Sequence, residues 1–137
     1  MSAAIAVQKA IRARLIGASA VTALVPATSI LDRHARPAPD PSIILGEDQT
    51  VQGEGLARDM VRVFSTLHLW KREPSLEGVK AIAGTIRTAI HAGRLDLETG
   101  FQCGDCFVSS SRFMRDPDGE TSHGVVTVET MVSEVAS

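Results

Sequence analysis

The stretch from Arg58 to Lys71, RDMVRVFSTLHLWK, constrains the fold more than any other part of the chain. Its side chains alternate. Val61, Val63, Leu67 and Leu69 fall on one face, interrupted only by Ser65, and Met60, Arg62, Phe64, Thr66, His68 and Trp70 fall on the other. That period of two is a strand. Strands usually run about five or six residues, so this one is over-built for a chain of 137 residues. It is expected to project past its own core, as strands do when a sheet pairs with a neighbour. The first face is core. The second is amphipathic, which suits a covering helix at one end and solvent or a partner at the other.

The rest of the chain arranges itself around that strand as one domain, residues 1–137. Ala3 to Ile16 has Ala4, Val7, Ile11 and Leu15 at helical spacing, and Gly17 as a stop. Ser19 to Val25 is a second short turn closed by Pro26, and Ile30–Leu31 a short strand. Three alternate prolines in RPAPDP, Arg36 to Pro41, impose an extended segment. Ser42 to Glu47 reads as a short buried strand and Asp48 to Ala57, DQTVQGEGLA, as a mobile polar loop. Ser75 to His91 is a helix with Ser75 as N-cap, Glu77 in its first turn and Gly93 as its stop. Leu95 and Leu97 begin another strand. Phe107 to Arg115 and His123 to Ser133 form a hairpin around Asp116-Pro117-Asp118-Gly119, where proline presets one corner and Asp-Gly tolerates positive φ at the next. The expected class is α+β: a mixed or antiparallel sheet with a long central strand and a C-terminal β-hairpin, flanked by two main helices.

Composition removes several functions. With 44% hydrophobic residues the chain can bury a core without metal or disulfide. No segment approaches the roughly 20 apolar residues of a membrane span, so no membrane partner is expected. Lys9, Arg12 and Arg14 interrupt the apolar N-terminus instead of preceding it, unlike a signal peptide. A net charge of −2 does not describe a nucleic-acid sponge. The one tight basic cluster, Arg33, His34 and Arg36, lies between Asp32 and Asp40 and reads as solvated or interfacial.

No motif assembles a reaction centre. Cys103 and Cys106 lack a second cysteine pair for a structural zinc site, although His91 and His123 would complete a set in principle. They also lack the strand-to-helix setting of a redox motif, so two buried thiols beside a kink at Gly104 is the better reading. His34, His68, His91 and His123 are scattered singly, with His68 structural or interfacial. Ser109 to Ser111 lacks a nucleophile elbow, and Gly53-Glu54-Gly55 lacks a phosphate-loop lysine. Asp116 and Asp118 are explained by a turn. No catalytic residue, cofactor site or metal site is expected, and the chain reads as no enzyme.

The order helix, short strand, Pro-rich extension, polar loop, long strand, helix and hairpin resembles the phage tail-terminator (tail-completion) family, near the version carried by gene transfer agents, the phage-like particles of some bacteria. The likeness covers nearly the whole chain. It rests on Gly46-Glu47-Asp48, the strand end Leu67-His68-Leu69-Trp70, the helix Ile82 to His91, and the turn Arg115 to Gly119 leading into His123-Gly124. The Cys103–Cys106 pair stands outside that pattern.

The resemblance implies a structural particle protein. Six copies close into a homohexameric ring that caps the tail tube, ends its polymerisation and joins the tail to the head. Its partners are itself, the tail tube protein and a neck, or stopper, connector. DNA passes through the lumen without sequence-specific binding. The implied location is the bacterial cytoplasm during assembly and then the tail of the particle. The expected assembly contacts are Asp48, Gln49, Thr50, Gln52, Glu54, Arg58, Arg62, His68 and Trp70. A head–tail connector, a tube component, which would stack indefinitely, and a nucleic-acid-binding module are the competing roles.

Overall fold

The computed structural model describes residues 2–33, 35, 37–53 and 59–135. Helix α1 spans Ala3–Ile16 and buries Ala3, Ala6, Val7, Ile11 and Leu15. The Ser2 hydroxyl caps it by accepting from the Ile5 amide at 3.2 Å. A single helical turn, α2 (Ser19–Thr22), leads to strand β1 (Ile30–Leu31). Strands β2 (Ser42–Gln52) and β3 (Met60–Arg72) follow, then helix α3 (Glu77–Ile90), β4 (Phe101–Arg115) and β5 (Thr121–Glu134). They form one five-stranded sheet in the order β1-β2-β3-β5-β4. β1 runs parallel to β2, and every other pairing is antiparallel. The fold is therefore α+β with a mixed sheet, and β4–β5 is the expected hairpin.

The helices lie on one face of the sheet. Val63, Leu67 and Leu69 of β3 and Val126, Val128 and Val132 of β5 share a core with the buried residues of α1 and α3. Val79, Ile82, Ile86 and Ile90 make the α3 stripe, each no more than 2% exposed, and each contributes about 1.5–3 kcal/mol by leaving water. Gly124 of β5 lets the layers meet. A Cβ there would stand 3.0 Å from Val79 Cγ2 and 3.1 Å from Leu69 Cδ1. Arg14 of α1 closes the far end of α3. Its guanidinium donates to the carbonyl of Ala89 at 2.8 Å, an oxygen the helix end leaves without an intrahelical partner, and to those of Arg94 at 2.8 Å and Gly93 at 3.2 Å in the segment that follows.

The structure corrects several expectations. Asp48 to Gln52 is not loop. β2 continues through Gln52, with Asp48 opposite Ser65 and Gln52 opposite Val61. Its first residues are buried and everything from Gly46 onward is exposed, so hydropathy resolved only the buried half of the strand. The remainder of the expected loop, residues 54–57, lies outside the described residues. Leu95 and Leu97 start no strand. Leu95 is buried as core filling, and β4 begins at Phe101. Helix α3 starts at Glu77, and its N-terminus is held by Glu73, whose carboxylate accepts from Gly78 N at 2.7 Å and Val79 N at 2.9 Å. The Ser75 hydroxyl accepts from Glu77 N at 3.2 Å. Among the described residues no helix covers the second face of β3. At one end Ala35 and Ala38 line a hollow together with Ile44 and Trp70.

Both thiols are buried, as expected. A bulge between Cys103 and Asp105 in β4 carries Cys103 and Cys106 to the same face. Burial pushes the Cys106 thiol up to about 11, so it is a protonated packing group. Gly119 has φ of +74°, as the Asp-Gly turn requires.

Candidate functional site

One end of the open sheet face gathers side chains from three strands. The site starts in β2, where the register slips between Leu45 and Asp48. The bulge aims Glu47 across at β3, and Gly46 leaves room for the ring it meets. A Cβ on Gly46 would lie 2.7 Å from His68 Cδ2. His68 Nε2 lies 2.7 Å from Glu47 Oε1, and His68 Nδ1 lies 2.9 Å from His123 Nε2 on β5. The Trp70 indole stacks on His123 with centroids 3.8 Å apart and planes 7° from parallel. These groups line a solvent-open hollow of about 530 Å³ with Ala35, Ala38, Ile44 and Gly46. A second hollow of about 370 Å³ continues past Trp70 toward Asp40, Asp116 and Asp118.

The electrostatics follow from this packing. The bond from His68 holds the Glu47 carboxyl below its ordinary range, and Glu47 itself remains largely exposed. Burial, then the like charge of His68, lowers His123, while Asp116 and Glu47 oppose that shift. The array can store and pass a proton, and it offers a flat aromatic surface beside a carboxylate. No group of three or more metal-ligating side chains forms among the described residues. His91 accepts from Val108 N at 3.0 Å and joins neither the cysteines nor His123.

The expected contact residues do not form one cluster. His68 and Trp70 sit in the array. Arg62 lies six residues along β3, about 20 Å away, paired with Glu129 at 3.1 Å and touching Met131 Sδ at 3.4 Å. Gln49 pairs opposite Phe64 on that same open face. Asp48, Thr50 and Gln52 pair with Ser65, Val63 and Val61 and so point to the helix side, yet they are exposed because the helices do not reach that far. Glu54 and Arg58 lie outside the described residues.

Sequence reasoning missed Glu47 and His123, and treated as single two histidines that are bonded to each other. Alternation alone puts His68 and Trp70 on one face. Placing His123 beside them needs the β3–β5 register, which pairs Trp70 with His123 and His68 with Val125. Three of the segments that carry the resemblance, Gly46-Glu47, His68 to Trp70 and His123-Gly124, meet at this one place.

An α+β subunit with a one-sided helix layer and strand edges left open among the described residues presents the kind of surface that assembly proteins use to meet their neighbours. The comparisons specify the class further: the model of the family "Tail completion protein gp17" matches residues 9–133, and the chain belongs to that family. It is a structural protein of phage-type tails. Its fold is similar to a chain in the virion of a native gene transfer agent particle, with a TM-score of 0.82 at 16% identity, covering 97% of this chain and 99% of that one. It is also similar to the gp17 protein of bacteriophage SPP1, with a TM-score of 0.62 at 20% identity, covering 98% and 91%. No curated protein matches the sequence.

Proposed function

We propose that the chain is a tail terminator: six copies form a ring that caps the tail tube, stops its growth and presents a different surface to the neck, with DNA passing through the lumen. The observation that carries this reading is that the sheet has two unlike free edges. On one side, β1 covers only Ile43 and Ile44 of β2, so Leu45 to Gln52 has β3 as its only strand partner among the described residues. On the other side, β4 has β5 as its only strand partner among the described residues. A closed ring is built from heterologous contacts, in which one patch meets a different patch of the next subunit, and free edges are sites for strand addition. Bacterial cytoplasm during assembly and then the particle tail are the locations that go with this role. The family is one of tail-completion proteins, and the proposed role is accordingly structural.

Negative-stain microscopy and light scattering of the purified protein, alone and with tail tubes, test the reading. Sixfold rings, free or on tube ends, are expected. An isologous dimer that never caps a tube would overturn it, and indefinite stacks would make the protein a tube component.

A further inference from the structure

We propose that Glu47, His68 and His123 form a proton-operated clasp, which ties the β2 bulge to β5 across β3 and opens when both imidazoles become charged. With Glu47 ionised, His68 Nε2 must donate to it across 2.7 Å. In the neutral clasp His123 Nε2–H then donates to His68 Nδ1 across 2.9 Å. One added proton is accommodated without moving a heavy atom. It enters at His123 Nδ1, the Nε2 proton crosses to His68 Nδ1, and the charge rests on His68 against the Glu47 carboxylate. A second proton has no place. Both facing nitrogens would then carry hydrogens, and a hydrogen bond with two donors and no acceptor is a repulsion between two cations. The rings must part, and His123 leaves the Trp70 stack.

Among the described residues, few charged and titratable groups surround the pair. Glu47 faces it from β2 and Asp116 from the β4–β5 turn, and both favour charge on His123. Met114 of β4 stands opposite His123 and is uncharged. Asp40, Lys71, Arg72 and Asp118 line the neighbouring hollow beyond Trp70. The clasp is a property of the single subunit and stands whether or not the ring reading does.

Trp70 is the chain's one tryptophan, so its fluorescence reports this site alone. Titrating the full-length protein from about pH 8 to pH 5 should give a transition in Trp70 emission that vanishes in His123→Gln. His68→Gln removes the second cation, so nothing forces His123 out of the stack and the transition should vanish there as well. Glu47→Gln keeps both imidazoles but removes the carboxylate that favours their charge, and should lower the midpoint. Imidazole nitrogen NMR of the unmodified protein should show the His68–His123 coupling present above the transition and lost below it. A transition that persists in His68→Gln, or a midpoint that Glu47→Gln leaves unchanged, would overturn the proposal. So would a coupling that survives with both rings charged.

Discussion

At the residue scale, Glu73 decides where α3 begins. Its two oxygens accept from consecutive amides at the helix N-terminus, where unpaired N–H groups and the helix dipole favour an anion. Glu73→Ala should lower stability by about 1 kcal/mol and Ser75→Ala by less, as thermal melts of the two variants would show. An equal or reversed ranking would mean that Ser75 is the cap after all. The serine was the natural choice in the sequence, because caps are sought next to the helix. A carboxylate reaching over from the preceding turn has no fixed offset to search for. His123 supplies a pH dependence with a definite sign. Its lowered value means that the unfolded chain holds more protons between the depressed folded value and the usual value of about 6.5. Its contribution to stability is therefore full above that interval and is lost as pH falls through it.

At the element scale, the strands show what was legible in the sequence. β3, α1 and the β4–β5 turn were, because alternation, helical spacing and Pro-Asp-Gly are local signals. Asp48 to Gln52 was not. Exposed on both faces, it has no hydropathy pattern, and its strand character comes from pairing with β3. The N-terminal part of β4 was hidden for a related reason. The bulge at Gly104 breaks the alternation, so Cys103 and Cys106, three apart, share one face. Two glycines test the hairpin and the layer contact separately. Gly119→Val places a β-branched residue at φ of +74°, costing on the order of 1–2 kcal/mol by strain. Gly124→Val forces side-chain atoms into Val79 and Leu69, costing roughly 1–3 kcal/mol by overpacking. Denaturant melts should therefore show both variants destabilised. A Gly119→Val midpoint equal to wild type would contradict the turn geometry.

At the scale of the whole molecule, the exposed part of β2 and the outer edge of β4 matter more to neighbours than to the subunit. Lysines on an edge discourage strand addition. Thr50→Lys on β2 and Ser110→Lys on β4 should each leave the monomer's stability within about 0.5 kcal/mol and reduce ring formation in light scattering. Unimpaired rings in both variants would place the subunit contacts elsewhere. The array of Glu47, His68, His123 and Trp70 belongs to this scale too. It was illegible because its members come from three strands and meet only when the whole sheet has formed.

The sheet order carries a consequence for synthesis. β5 is last in chain order yet lies between β3 and β4. While a ribosome is still making the chain, β4 can emerge but has no strand to join, and β3 has one side open. The α3 stripe likewise lacks the valines of β5 that cover it. The sheet can close only when β5 arrives, because the β3–β5 pairing joins segments far apart in sequence. Truncation before Thr121 would leave β4 as a detached ribbon with both edges bare, prone to pairing with other nascent chains.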